Sequence, residues 1–509
     1  MANLSLQQNA IKVDVAALKD DNNDKPNKMK QLSDERILTA EFVRNLDNNS
    51  WRHFILNGHG NKHVSDSDTG AQAERMAKAK DLPDPVVDLR WMSRALAPVG
   101  MWGPSGGSRL YDAYSLWTIV QLVLTAAGQV AGLQGHWDDL QTVFTTLCFA
   151  FTVTCTIIKG TIFVLQRESM DALKRHIERN AVEFCSHLPE ERRSLLVRAR
   201  NLSRLIVCSF QSVGGVTLVS FITGPIVQNG RDRELLASGL NNATLDRRLG
   251  HNYPMLMWWF GGLPVTSPGY EAAYIIMCYW LVLMYICTNV PDAYYVGLIN
   301  YITAQLRLLH IALPKMATLE PDAVLQEKLA HSYGLTIKAD VPADAGAQDV
   351  IQDRVYARLV ECIRFHQEIM KCVDEMESVL SLTVLIQFFT STLVICLTAI
   401  TVISTETAYL PTYAAYLATM FYQLFIYCWY GGEVYLESES LQFSAYSCNW
   451  PETDARFRKT LRICLARMQR PISLTACKFY KLSRETFLLL LNGSYSYFTL
   501  LLQMNQKND

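Results

Sequence analysis

Five polar residues near the C-terminal end of this chain, Glu485, Asn492, Ser496, Thr499 and Gln503, recur along one line of an otherwise apolar stretch. Their spacing of i, i+7, i+11, i+14 and i+18 puts them on one narrow face of a helix turning about 100° per residue. Such a line does no covalent chemistry. It hydrogen-bonds, or it borders a passage for water and ions. The stretch is long enough to cross a bilayer core of roughly 30 Å, which takes about 20 apolar-rich residues. A spanning helix that keeps one wet face needs either polar partners or a water-filled pore.

Other constellations carry less. Gly103-Pro104-Ser105-Gly106-Gly107 matches the G-x-S-x-G pattern of serine hydrolases but lacks the strand–turn–helix context that exposes such a serine. His59 and His63 have i, i+4 spacing in a polar tail without the H-E-x-x-H pattern, so a solvated loop is the expectation there. No Walker A sequence and no C-x-x-C pair occur. No catalytic residues, metal site or cofactor are expected.

The elements that hold the polar line are membrane helices. Half of the 509 residues are apolar, and they cluster in long runs. The net charge of −1 gives no argument for nucleic acid. Met1–Lys28 has no apolar core and does not read as a secretory signal. The 13 cysteines sit mostly inside apolar runs, as small packers rather than a disulfide framework. Seven spans are expected: Tyr111–Leu133, Leu140–Ile162, Leu205–Val227, Ala272–Thr288, Val379–Val402, Tyr413–Tyr430 and Thr486–Met504.

Basic residues orient them. Lys159, Lys174, Arg175 and Arg179 are assigned to the loop after span two, Arg307, Lys315, Arg354 and Arg358 to that after span four, and Arg456, Lys459 and Arg467 to that after span six. The loops between spans one and two and between five and six carry none. The positive-inside rule therefore predicts a cytoplasmic N-terminus and an extracellular C-terminus. That is the reverse of a G-protein-coupled receptor, so the NPxxY-like Asn289–Tyr295 (NVPDAYY) reads as coincidence. Asn242-Ala243-Thr244 falls in the one long outer loop, and Asn242 is the expected glycan site.

Residues 1–83 read as a mobile cytoplasmic tail and 84–110 as an amphipathic segment leading into the membrane. Residues 111–430 hold spans one to six, 431–484 a cytoplasmic anchor and subunit-contact segment, and 485–509 the last span and a short outer tail. Met170–Ser203, Asp353–Ser378 and Glu452–Arg470 are expected to be amphipathic helices forming a cytoplasmic bundle. His331–Gln348 reads as a flexible insertion. The fold class is thus an all-α membrane protein of seven transmembrane helices with a cytoplasmic helical bundle.

The C-terminal third resembles the insect odorant receptors. Its hallmarks here are Gly431-Gly432-Glu433 after span six, Ala445-Tyr446 with Trp450, Arg467-Met468-Gln469-Arg470-Pro471, and Ser494-Tyr495-Ser496-Tyr497. Two departures stand out: a long N-terminal tail, and Gly-Gly-Glu where the family usually has Gly-Asn-Glu. Ser-Tyr-Ser-Tyr resembles the ligand-tuning receptors rather than the shared coreceptor. The alternative is the related gustatory receptors, which Ser496-Tyr497, five residues, then Gln503-Met504 partly matches.

The resemblance implies an odorant-gated cation channel in olfactory neuron membranes, on a dendrite or cilium. It implies a tetramer of tuning and coreceptor subunits, in preference to a homotetramer, with each final helix lining a central pore. Its pore residues would be Asn492, Ser496, Thr499, Leu500, Gln503 and Met504, with Leu500 and Met504 blocking ions by dewetting and Gln503 contacting hydrated cations. The competing reading is that Asn492, Ser496 and Gln503 only hydrogen-bond neighbouring helices. The implied pocket for a small volatile odorant takes Phe144, Leu147, Cys148 and Phe151 from span two and Ser212, Gly215 and Val219 from span three. Span four contributes Tyr274, Met277 and Leu281, and span six Thr412, Tyr413 and Tyr416. For the two tyrosines the alternative is anchoring in the interfacial aromatic belt.

Overall fold

In the computed structural model, the residues described are 94–103, 109–134, 136–137, 139–185, 190–237, 252–259, 263–264, 266–317, 345–405 and 409–506. The polar tail 1–83, the G-x-S-x-G residues from Pro104 to Gly107, most of the 331–348 insertion and Asn242 lie outside them.

Nine helices make up nearly all of the described chain: α1 (Arg109–Gly132), α2 (Leu140–Leu165), α3 (Arg167–Cys185), α4 (Glu190–Ala237), α5 (Gly269–Ala312), α6 (Ala345–Ser404), α7 (Leu410–Tyr446), α8 (Ala455–Met468) and α9 (Arg484–Gln506). A two-stranded antiparallel hairpin, β1 (Thr475–Ala476) and β2 (Tyr480–Lys481), precedes α9. Local chemistry sets several ends. The Asp139 carboxylate caps α2, accepting from the Gln141 and Thr142 amides at 3.2 and 3.4 Å. Asp454 caps α8 through the Phe457 amide at 2.7 Å. Pro411 occupies the first turn of α7, where a missing N–H costs nothing.

All seven expected spans are helical. Among the described residues, five helices (α1, α2, α4, α5 and α6) are long and apolar enough to cross a membrane. The other two, α7 and α9, are diluted by tyrosine, glutamine, serine and asparagine. Leu116 and Trp117 on α1, Val216 and Ile226 on α4, and Ile275 on α5 are exposed. Apolar side chains spread along several helices in this way suit lipid, not water.

The helices outrun their spans. At about 1.5 Å per residue, the 60 residues of α6 reach roughly 90 Å, about three bilayer cores. The helix carrying span four does not end at Thr288: α5 continues through Pro291 to Ala312, and nearly every residue from Cys287 to Leu309 is buried. A helix apolar on all sides belongs in a core, and this half of α5 is the axis the others surround. Met170–Ser203 is not one helix. It divides between α3, which ends at Cys185, and α4, which begins at Glu190.

Beyond the spans, α3, α5, α6, α7 and α8 pack as a bundle. Phe184 stacks on Phe365 with ring centres 3.7 Å apart. His176 of α3 meets Glu368 at 3.0 Å and Glu375 at 2.9 Å on α6. Burial works against the Glu368 carboxylate, yet its bonds from Lys371 and His176 hold it below the ordinary carboxylate range. Residues 94–103 tuck against the same assembly: Leu96 is fully buried, and Trp102 packs 5.3 Å from Tyr294 on α5. The Tyr111 hydroxyl lies 2.7 Å from both the Ala97 and the Trp102 carbonyl oxygens, which share its one proton.

Candidate functional site

A cavity of about 60 Å³ lies among α2, α4, α5 and α7. Its walls are aromatic. Phe149 of α2 stacks on Tyr416 of α7 at 6.1 Å, and Phe221 of α4 meets both rings edge-on at 4.9 and 5.7 Å. Tyr416 is positioned by a 2.7 Å hydrogen bond with Thr152, which itself donates to the Cys148 carbonyl, so the tyrosine is the donor to Thr152. Thr217 and Thr419 pair across α4 and α7 at 2.7 Å. Gly214 is required by packing: a Cβ there would come within 2.9 Å of the Tyr285 ring. Tyr285 then donates to the Gln211 carbonyl at 2.7 Å, closing one side.

Of the residues expected to line a pocket, Leu281 and Tyr416 reach this cavity. Tyr413 lies one turn along α7, edge-on to Phe221 at 6.1 Å, and accepts a 3.4 Å bond from Thr145. Thr412 and Met277 are buried. Tyr274 donates to the Ile222 carbonyl. Cys148 faces α6, 3.5 Å from the Thr398 hydroxyl. Phe144, Leu147, Phe151 and Gly215 are half-buried, whereas Ser212 and Val219 are exposed. The face α4 turns inward is Gly214, Thr217, Leu218 and Phe221, an i, i+3, i+4, i+7 set. At about 100° per residue, Ser212 and Val219 stand on its far side.

The cavity floor was not expected. Thr288, Asn289 and Gln423 line it, and beneath them Lys159 of α2 and Asp292 of α5 form an ion pair at 2.6 Å, with side chains 0% and 1% exposed. Asp292 also accepts from the Tyr427 hydroxyl at 2.6 Å and from the Gln423 amide. Lys159 is therefore not a solvated loop charge, as its place in the basic cluster implied. The NVPDAYY segment, whose likeness to NPxxY is coincidental, still has a structural role: its aspartate is the hub of α2, α5 and α7. The available signal was a lone charge of each sign inside two apolar runs, which buried helices tolerate only in pairs.

The Gly431-Gly432-Glu433 segment ties α7 to the root of α9. Glu433 bridges Arg307 of α5 at 2.9 Å and Arg484 of α9 at 2.8 Å. Arg484 also lies over the Trp429 ring at 3.9 Å. An added Cβ on Gly431 would collide with Leu482, in the turn leading into α9.

On α9, the side that packs on its own chain holds Thr486, Phe487 and Ser494. Phe487 meets Phe425 edge-on at 5.7 Å, and Ser494 donates to the Thr392 carbonyl at 3.3 Å. Glu485, Asn492, Ser496, Gln503 and Leu500 are exposed, and Thr499 is half-buried. At about 100° per residue, Ser494 is half a turn from the polar line. Ser496 and Thr499 bond only to carbonyls of their own helix, those of Asn492 and Ser496, at 2.9 Å. Among the described residues, the polar line finds no partner on another helix of this chain. The Met504 side chain is outside those residues.

Among the described residues, no group of three or more His, Cys, Asp or Glu side chains is placed to hold a metal ion.

A family model described as 7tm Odorant receptor matches residues 139–495. Odorant receptor Or2 of Anopheles gambiae is 22% identical over 376 residues, 73% of this chain and 87% of that protein. Odorant receptor 10 of Aedes albopictus is 24% identical over 397 residues, 77% and 92% of the two chains. Odorant receptor 46a, isoform A, of Drosophila melanogaster is 37% identical over 157 residues, 30% of this chain and 40% of that one. Among solved structures, the insect olfactory receptor OR5 from Machilis hrabei in complex with eugenol superposes with a TM-score of 0.63 at 17% identity, covering 82% of this chain and 97% of its own.

Proposed function

This chain belongs to the insect 7tm odorant receptor family, a family of odorant-gated membrane channels, and from that premise we propose that it is a ligand-tuning subunit that opens a cation pore together with coreceptor subunits. The observation that carries the reading is the orientation of α9. Its polar line faces away from its own chain, so it needs partners that only other subunits, or water between them, supply. Several such helices around an axis, polar faces inward, enclose a wet path that one cannot.

In this reading the cavity among α2, α4, α5 and α7 receives the odorant. Phe149, Phe221, Tyr416 and Leu281 supply apolar contact, and Tyr413 backs the Phe221 ring edge-on. Opening requires that the odorant bind the open arrangement more tightly than the closed one. The route from cavity to pore runs down α7 to Glu433 and across to Arg484 at the root of α9. Helix α8, within the 431–484 segment, supplies the surface for subunit contact. Both relatives and sequence hallmarks favour odorant over gustatory reception.

Whole-cell recording across an odorant panel, with and without an insect coreceptor, tests the assignment. Current only with both chains is the expected result. Current from this chain alone would make it a homomeric channel instead. Epitope tags reading an intracellular N-terminus and extracellular C-terminus on intact cells are expected in the same experiment.

A further inference from the structure

Most of the polar hydrogens around the cavity are already committed. The Tyr416 hydroxyl is spent on Thr152, that of Tyr285 on Gln211, and that of Thr288 on Thr156, whose own proton goes to the Thr152 carbonyl. One of Thr217 and Thr419 donates to the other at 2.7 Å, and the remaining hydroxyl donates to the Ala415 carbonyl at 3.0 Å. Among the side chains lining the cavity, Gln423 Oε1 is the one fully buried oxygen without a hydrogen-bond partner. Gln423 itself is 1% exposed.

The direction of that amide is fixed from below. Its nitrogen donates to Asp292 Oδ2, and Asp292 pairs with Lys159 at 2.6 Å. Turning the amide over would set its carbonyl oxygen against a carboxylate, so the Asp292 charge keeps Oε1 as the free end. A buried acceptor without a donor is costly, and the cost is relieved by whatever brings one.

We infer that the ligand of this cavity is a small, mostly apolar alcohol or phenol whose single O–H donates to Gln423 Oε1. The inference rests on the proposed odorant role of the cavity and deepens it by naming the ligand class. The aromatic walls take the hydrocarbon skeleton, and the floor selects the donor. A methyl ether of the same skeleton fills the walls equally but leaves Oε1 unpaired, which sites built to bond a hydroxyl discriminate against strongly.

The test uses matched pairs on the receptor–coreceptor complex in whole-cell recording: 4-ethylphenol against 4-ethylanisole, benzyl alcohol against benzyl methyl ether, and 1-octanol against 1-methoxyoctane, within a wider set of hydroxyl and methyl-ether pairs. The hydroxyl member of each active pair is expected to act at roughly tenfold lower concentration. In Gln423→Met the gap should close to within about twofold while the ether response persists. A panel in which no hydroxyl compound activates, in which ethers act as well as alcohols, or in which the preference survives Gln423→Met overturns the inference. Should Gln423→Met fail to reach the surface, the paired change Lys159→Met with Asp292→Asn replaces it. There the new amide can donate to Oε1 and turn the Gln423 N–H outward, so preference should move to ethers and ketones, and an unchanged hydroxyl preference overturns the inference. Tyr416→Ala separates the two levels. If it leaves every agonist untouched, the cavity is not the odorant site; if it weakens both members of a pair while Gln423→Met alters neither, the cavity stands and the ligand class falls.

Discussion

Gly431 and Leu482 are in such close contact that no side chain fits between them: a Cβ on Gly431 would overlap the Leu482 Cβ. Leu482 is 2% exposed and sits in the turn that launches α9, so this contact sets how α7 carries the final helix. Gly431→Ala is expected to push the two apart and to cut odorant-evoked current about tenfold, with overpacking costs of roughly 1–3 kcal/mol. Gly432→Ala is the control. There the nearest atom to a Cβ is 3.7 Å away, ordinary contact, and current should remain near wild type. Surface labelling beside recording separates gating from expression. Equal effects of both changes would remove the contact from the coupling route.

How far the sequence is legible follows from the same residues. Gly431-Gly432-Glu433 is visible as a motif, yet its partners Arg307, Leu482 and Arg484 come from elsewhere in the chain and no local pattern links them. The spans are readable because length and apolarity act locally. The far end of α5 is not, since Pro291 and Asp292 look like a stop signal until the core around them is known. The polar line of α9 survives intact because helical periodicity alone defines it. The cavity wall on α4 shifts from Ser212 and Val219 to Thr217 and Phe221 because rotation of a helix apolar on most sides is decided by its neighbours.

Lys159 and Asp292 should be worth more together than apart. Removing either leaves a fully buried, uncompensated charge, at a cost of about 3–5 kcal/mol. Lys159→Met or Asp292→Asn alone is therefore expected to abolish surface delivery or lower the thermal midpoint of the solubilised protein by many degrees. The double change Lys159→Met with Asp292→Asn leaves no stranded charge and should recover most of that loss. Additive losses in the double variant would show that the pair is not coupled.

The bundle should loosen in mild acid. His366, 4% exposed on α6, has its imidazole pushed down to about 3, first by burial and then by the nearby Arg467 charge. Unfolded, the group protonates near its ordinary 6.5. The unfolded chain thus binds the extra proton between those values, so stability is full above about 6.5 and falls as pH drops toward about 3. Between pH 7 and pH 5 this group should cost about 2 kcal/mol. Thermal unfolding of the detergent-solubilised protein across that range, compared with His366→Gln, measures it. An identical pH slope in the variant would assign the acid sensitivity elsewhere.

The two faces of α9 should separate cleanly in ion permeation. If the polar line borders the pore, a charge placed on it acts directly on passing cations, because the site is narrow and poorly screened. Gln503→Glu is expected to raise calcium permeability relative to sodium by about twofold or more. Leu500 is 53% exposed beside that line, and an apolar ring there would hold the closed pore dry. Leu500→Ala should weaken that barrier and give a standing current without odorant. Ser494→Ala, on the face packed against Thr392 of α6, should leave permeability ratios unchanged, since its hydroxyl meets only its own chain. Reversal potentials in bi-ionic solutions read the Gln503 and Ser494 changes, and the current before odorant reads the Leu500 change, all with the coreceptor present. If Gln503→Glu and Leu500→Ala both leave permeability and resting current as they were, the polar line belongs to a helix–helix seam, and the ions pass elsewhere.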